Sequence, residues 1–301
     1  MSDSEIVDVV IIGGSYAGLS AALALGRAIR QVVVLDSGQP CNRQTPHSHN
    51  FLTQDGSTPA AIAAVAREQV LAYPTVQLRP EAAIAATGAD NHFTVTTASG
   101  AVVQARKLLF ATGIRDLMPA LPGFAECWGI SAIHCPYCHG YEYRWEPTGI
   151  LANGDVAAEM GVLIRNWTDK LTIFTNGPAT LTPEQRQRLA DRGISIEETP
   201  VRKLLHQAGH LTQLDLADGR ALPLAALYAR LPFEQHCALP SDLGCTHSET
   251  GYLTVDNFQK TSVPGVYAAG DATNPMRAVG AAVAAGMMAG AMLNRELIFG
   301  A

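Results

Sequence analysis

The 301-residue sequence is short of charge: 16% of its residues are Asp, Glu, Lys or Arg, and the 21 basic side chains are outnumbered by 27 acidic ones, for a net charge of −6. No basic run occurs anywhere, which argues against a nucleic-acid partner, because neutralising phosphates needs clustered Lys and Arg. No positively charged leader or small-residue cleavage site is seen in MSDSEIVDVVIIGG, so no export signal is expected and the expected compartment is the cytoplasm. The most apolar long stretch, 278–293, is dominated by Ala and Gly and falls short of the ~20 residues a membrane span needs, so it reads as a buried helix. Cysteine is sparse and scattered: of six, only Cys135 and Cys138 share a motif, while Cys41, Cys127, Cys237 and Cys245 lie apart. That is no disulfide framework, and a lone CxxC in a chain of this size points to redox or metal chemistry.

What is present is a hydrophobic chain (48% apolar) long enough for about two domains. Val7–Ile12 is a β-branched run bounded by Gly13-Gly14, as expected of a strand buried on both faces; 17–29 has helical character, and Val32–Leu35 is a second apolar run ending at Asp36. Strand, glycine turn, helix, strand and acid make one βαβ unit. Residues 40–58 are polar and turn-rich, 58–72 read as a helix, 75–86 and 92–97 flank a turn at 88–91, and Val102–Phe110 leads into Ala111-Thr112-Gly113. After the proline-rich crossing at 118–123, a second βαβ-like unit is expected: Thr148–Leu151, a turn Ala152-Asn153-Gly154-Asp155, a helix over 156–166, and Leu171–Phe174. A buried strand over 263–267, Gly270-Asp271 and a final helix close the chain.

Two sites stand out. In the turn 13–18, Gly13 permits the tight bend and Gly18 close packing of helix on strand, while Ser15 and Ala17 leave the backbone accessible. The helix start supplies free N–H groups for a pyrophosphate, and Asp36 is placed to accept from a ribose hydroxyl. In Ile133-His134-Cys135-Pro136-Tyr137-Cys138-His139-Gly140 the two sulfurs are close enough for a disulfide, and His139 follows as a candidate proton acceptor or donor. His134, Cys135, Cys138 and His139 offer four metal-ligand atoms, but they lie too close in sequence for a clean tetrahedral site, and no second CxxC exists. A redox disulfide is therefore expected and no metal; a pair of inert thiols is the bland alternative.

The turn 13–18, Ala111-Thr112-Gly113, the Cys135/Cys138 pair and Gly270-Asp271 together resemble the low-molecular-weight thioredoxin reductase class of flavoproteins over nearly the whole chain. The resemblance implies an α/β fold of two Rossmann-like domains (the two-dinucleotide-binding-domain flavoprotein fold). The FAD domain would be discontinuous, 1–117 with 240–301, and 118–239 would carry the CxxC. It implies FAD held also by Ala111, Thr112, Gly113, Asp271 and the backbone around Arg277, Ala278 and Val279. Cys138 would exchange electrons with the flavin and Cys135 would meet the substrate. It further implies a homodimer acting on a small dithiol or disulfide or on a thioredoxin-like protein, with no membrane partner.

The sequence departs from that class in two places. His139 stands where the family has an acid. The second glycine fingerprint is degraded: Ala152 replaces its first Gly, and neither an arginine pair nor an acid follows Thr175-Asn176-Gly177. A Cβ at a turn glycine that needs positive φ costs about 1–3 kcal/mol. Weak or absent NADPH binding is expected, with binding through Arg165 or Arg202 as the alternative.

The CPYCHGYE segment resembles a subgroup containing the dithiol oxidases of gliotoxin- and holomycin-type natural products. That resemblance places His47 or His49 near the flavin or the substrate thiols and Gln54 and Asp55 near the cofactor; chance histidines on a solvated loop are the alternative. Dithiol oxidation is the leading expectation, with an NAD(P)H-dependent disulfide reductase as runner-up and a non-catalytic redox-sensing or electron-relay flavoprotein as a reading from another class.

Overall fold

The computed structural model describes residues 6–300; the first residues of the segment read for an export signal lie outside them. The chain divides into two compact units, Met1–Arg43 with Asn50–Arg115 and Phe233–Ala301, and Gln44–His49 with Asp116–Pro232.

In the first unit, Val7–Ile12 pairs in parallel with Val32–Leu35 on one side and Val102–Phe110 on the other, and Val32–Leu35 pairs in turn with Val76–Arg79. Val102–Phe110 changes neighbours along its length. Its first half pairs antiparallel with His92–Thr97, and its last three residues pair in parallel with Val266–Ala268. The apolar runs are continuous rather than alternating because both faces of the sheet are covered: Val9, Ile11, Val32 and Val34 pack into one core and Val10, Ile12, Val33 and Leu35 into another.

The helix Tyr16–Arg27 lies against the long C-terminal helix Val279–Phe299. The Ala/Gly richness of that helix is explained by the contact: a Cβ at Gly286 would run into the Ala17 carbonyl, and one at Gly290 would come within 2.7 Å of the Ala21 carbonyl. The helix runs beyond the apolar stretch, through Asn294, Arg295 and Glu296 to Phe299. Glu296 points inward, where it accepts from Lys107 at 2.7 Å and from the Tyr267 hydroxyl at 2.7 Å, and it pairs with Lys260 at 2.6 Å. No helix of the described residues is long and apolar enough to cross a membrane.

The second unit repeats the order of four parallel strands, but the fifth position is taken by its first strand, Ala132–Ile133, where the first unit uses its last, Val266–Ala268. Its five-stranded parallel sheet runs Ser195–Glu197, Leu171–Phe174, Thr148–Leu151, Ala226–Ala229, Ala132–Ile133. A three-stranded antiparallel sheet, Val201–Gln207, His210–Leu216 and Ala221–Pro223, packs beside it around Leu204, Leu214 and Leu216. The helix expected over 156–166 begins two residues earlier, at Gly154, because the Asn153 side chain caps it by accepting from the Gly154 N–H at 2.8 Å.

Candidate active site

The dinucleotide turn of the first unit follows Val7–Ile12. Gly13 has φ +107 and donates its N–H to the Leu35 carbonyl at 2.8 Å, while Ala111 donates to the Ile12 carbonyl at 2.8 Å. A Cβ at Gly13 would run into the Ala111 carbonyl, so turn 13–18 and Ala111-Thr112-Gly113 meet with no room for a side chain. Ser15 is the N-cap of Tyr16–Arg27, yet its side chain makes no capping bond and the first turn holds no acid. The Val279–Phe299 helix is likewise uncapped at Ala278. Elsewhere Thr58, Asn153 and Thr182 cap their helices with side-chain oxygens. The first N–H groups of a helix have no intrahelical acceptor, so both ends present donors and positive dipole.

Thr112 adds a buried hydroxyl with no hydrogen-bond partner among the described residues. Asp36 closes the second strand, and Asp271 lies in a short 3-10 turn with one carboxylate oxygen 3.9 Å from the Cys41 sulfur. Gln54 and Asp55 brace their own loop: Gln54 accepts from the Ser57 hydroxyl at 3.3 Å and Asp55 from the Asn50 N–H at 2.7 Å. Arg277 sits in the bend before the final helix, its N–H bonded to the Pro275 carbonyl at 2.9 Å. A close-approach turn, two open helix ends, an orphaned hydroxyl and an acid at the strand end fit a dinucleotide with a pyrophosphate and a ribose.

In the second unit, Cys135 and Cys138 form a disulfide, with their Cα atoms 5.3 Å apart. Cys135 is the N-cap of the single helical turn Pro136–His139; proline at the first helical position has no N–H to leave unsatisfied there. Cys138 and His139 both donate their N–H groups to the Cys135 carbonyl, at 3.2 and 3.3 Å. Both ring nitrogens of His139 are shut off from solvent and unpartnered among the described residues, although the residue as a whole keeps partial exposure. Burial, and secondarily the nearby His49, depress its pKa to about 4. At neutral pH His139 is a neutral imidazole, able to accept a proton but holding none to give beyond its ring N–H. The neighbouring His49 lies 3.4 Å from Glu142 and 6.4 Å, ring to ring, from His47. His49 is thus brought to the redox segment, and no group of three or more His, Cys, Asp or Glu among the described residues is placed to hold a metal ion.

The degraded fingerprint of the second unit has an internal tenant. Gly154 keeps the positive φ of a nucleotide turn, +59. The Asn153 amide lies across it: its oxygen accepts from the N–H groups of Gly154 and Thr180 at 2.8 and 2.9 Å, and its nitrogen donates to the Pro178 carbonyl at 2.9 Å. Asp155 stands in the first turn of the helix, fixed by Gln185 at 2.7 Å. A carboxylate at a helix N-terminus satisfies the dipole that a phosphate would otherwise exploit and repels a second anion. Sequence alone gives neither residue a role; the one signal is an Asn-Gly-Asp run at a helix start, which also reads as an ordinary cap. Trp128 is buried against Phe124, whereas Trp145 is 67% exposed with Arg144 stacked 4.9 Å from its ring centroid.

A profile of the pyridine nucleotide-disulphide oxidoreductases matches residues 7–289, most of the chain. The chain belongs to this family. Its members are FAD-binding flavoproteins, and FAD is its cofactor. Within the family, it is 33% identical over 98% of its length to a thioredoxin reductase, aclD, of Aspergillus oryzae, covering 98% of that protein. It is 34% identical over 99% of its length to a thioredoxin reductase, tcpT, of Claviceps purpurea, covering 96% of it. Among solved structures, an oxidoreductase from Agrobacterium tumefaciens superposes with a TM-score of 0.93 at 37% identity, over 98% of this chain and 99% of that one. HlmI superposes with 0.91 at 34% identity, over 97% and 93%. The protein is a flavin-dependent thiol-disulfide oxidoreductase of the thioredoxin reductase type.

Proposed function

We propose that this oxidoreductase runs in the oxidising direction, turning a substrate dithiol into a disulfide and drawing little or nothing from NADPH. The observation that carries the reading is the occupied turn of the second unit, where Asn153 and Asp155 take the hydrogen bonds and the field that a pyridine-nucleotide pyrophosphate needs. Arg165 and Arg202, the alternative nucleotide ligands, support this by being engaged elsewhere: Arg165 donates to the Arg192 carbonyl at 2.8 Å and Arg202 to Asp215 at 3.1 Å.

Gly13, Ser15, Ala17, Gly18, Asp36, Ala111, Thr112 and Gly113 would hold FAD, with Asp271 and the backbone of Arg277, Ala278 and Val279 completing the cradle and Gln54 and Asp55 stiffening its loop. FAD bound there would supply a two-electron acceptor for the cysteine pair, with dioxygen as terminal oxidant leaving as hydrogen peroxide. A substrate thiolate attacks the Cys135 sulfur, the Cys135–Cys138 bond breaks, and Cys138 leaves as a thiolate. The second substrate thiol then attacks the substrate sulfur of the mixed disulfide and releases Cys135, so substrate loses two electrons and the cysteine pair gains them. His139, a neutral imidazole at working pH, would take the proton of the attacking thiol only transiently, because burial makes its charged form costly. Substrates of this chemistry are small dithiols or a thioredoxin-like protein. A homodimer belongs to the same reading, supported by apolar side chains left exposed on the C-terminal helix at Met287, Ile298 and Phe299.

The rival is an NAD(P)H-driven disulfide reductase, favoured by the names of the fungal relatives. Anaerobic stopped-flow mixing separates the two. Dithiothreitol should bleach the flavin band within the turnover time, whereas NADPH should not. Bleaching by NADPH at a rate matching turnover overturns the proposal.

A further inference from the structure

We infer that Arg144 selects the substrate: it receives the carboxylate of a small acidic dithiol whose apolar body lies along an aromatic row leading from the redox pair, an assignment that rests on the dithiol reading above. Tyr137, Tyr141 and Trp145 recur at every fourth position, the spacing that puts side chains on one face of a helical segment. The segment is helical over Pro136–His139 and continues in turns through residue 145. All three rings stand out into solvent, 62%, 65% and 67% exposed. Single apolar side chains scattered on a surface need no explanation, but a row that starts between the two cysteines does.

At the far end of the row a cation is held in place. The Arg144 guanidinium lies 4.0 Å from the Tyr141 ring centroid and 4.9 Å from that of Trp145, and its Nη1 donates to the Tyr141 carbonyl at 2.6 Å. It therefore reaches back over the preceding turn, toward the cysteines. These contacts fix the group without neutralising it. Of the two acids that flank it, Glu142 lies 3.4 Å from His49, and neither Glu142 nor Glu146 pairs with Arg144. Its Nε and Nη2 have no acceptor among the described residues, and both keep surface open to solvent. These two donors form one edge of the planar guanidinium, the geometry that takes a carboxylate through two parallel bonds. Stacking has already restricted the side chain, so less freedom is lost on binding. The guanidinium is held over residue 141, which puts it roughly 5–10 Å along the segment from Cys138 and Cys135. A short aliphatic chain with a dithiol at one end and a carboxylate at the other spans that gap with its carbons on the rings. Exchange at Cys135 then converts two substrate S–H groups into one S–S bond and the Cys135–Cys138 bond into two thiols.

The test is anaerobic stopped-flow reduction of the flavin in the full-chain holoprotein, at low ionic strength, by dihydrolipoate and by its neutral carboxamide, dihydrolipoamide. The two share one dithiol, so thiol reactivity cancels in their ratio. The parent should half-saturate with dihydrolipoate at about tenfold lower concentration, at the same limiting rate, and the preference should shrink in high salt. Arg144→Gln should raise the half-saturating dihydrolipoate concentration about tenfold and leave dihydrolipoamide within about twofold. Arg144→Lys keeps the charge without the fork; it should retain about a threefold preference, and it carries the test if the glutamine variant fails to fold. A parent that treats both dithiols alike overturns the inference. So does Arg144→Gln with its tenfold preference intact, or with both dithiols weakened by one factor, as a purely structural role predicts. A reduced thioredoxin-like protein that bleaches the flavin at lower concentration than either, and loses that advantage in Arg144→Gln, overturns it in favour of a protein partner. Failure of both dithiols to bleach the flavin is a different result: it brings down the oxidising reading, and the role of Arg144 with it.

Discussion

His139 shows how one residue is set by its surroundings. An imidazole with both nitrogens buried and unpartnered resists protonation, and His49 beside it adds to the effect. Exchanging His139 for Gln should slow reduction of the flavin by dithiothreitol at pH 7 by no more than about tenfold, measured by stopped-flow absorbance, because a base of pKa about 4 is poorly matched to a thiol. The same burial shapes stability. The folded pKa, about 4, lies below the ordinary 6.5, so on acidification the unfolded chain takes this proton first. Stability is then lost as pH falls from about 6.5 to 4, by an amount on the order of 3 kcal/mol at most. Urea unfolding at pH 7 and pH 4.5 should show a smaller acid loss in His139→Gln than in the parent. The Cys135–Cys138 pairing with His139 beside it was legible in the sequence because it is local. The partners that orient such residues were not: His49 meets Glu142 across 93 positions, and Arg67 meets Asp36 across 31, distances at which no spacing rule operates.

At the scale of elements, helix starts and ends carry the information. Asn153 caps Gly154–Ile164 and ties it to Thr180 and Pro178. Asn153→Ala should therefore cost about 1–2 kcal/mol, seen as a lower melting temperature. It should not restore NADPH binding by calorimetry, because Asp155 still faces the helix end. At the other terminus, Glu296 anchors the last turn of the final helix. Burial opposes its ionisation, but Lys107, Lys260 and the Tyr267 hydroxyl outweigh that and hold its pKa at about 2. Its contribution is present above the usual carboxylate range and is lost as pH falls toward about 2. Glu296→Gln leaves Lys107, a buried cation that also pairs with Asp90, short of one partner and should cost about 3–5 kcal/mol in denaturant unfolding. Strands such as Val32–Leu35 and Leu171–Phe174 were legible to the residue, because apolar runs between polar turns leave no other reading. The reach of the final helix past residue 293 was not, since an inward-facing glutamate looks the same in sequence as an outward one.

For the whole molecule, two sheets that share the order of four parallel strands carry one glycine turn left open and another filled. A protein of this make should couple substrate to dioxygen: an oxygen electrode should record about one equivalent consumed per disulfide formed, since each exchange moves two electrons. Cys135→Ser should abolish that consumption while leaving the yellow flavin band in place. The doubled architecture was legible from the recurrence of strand, glycine and helix. The assignment of residues 44–49 to the second unit was not, because 40–58 reads as one continuous polar loop and only tertiary contacts split it.

The Asn153 amide has a last consequence, which is kinetic as much as structural. A rival tethered to the backbone is never diluted: it returns to its site within the time of a side-chain rotation, at a local concentration far above millimolar. A nucleotide arriving from solution competes against that permanent occupant at every encounter, so its apparent dissociation constant is raised by a fixed factor and saturation moves to correspondingly higher doses.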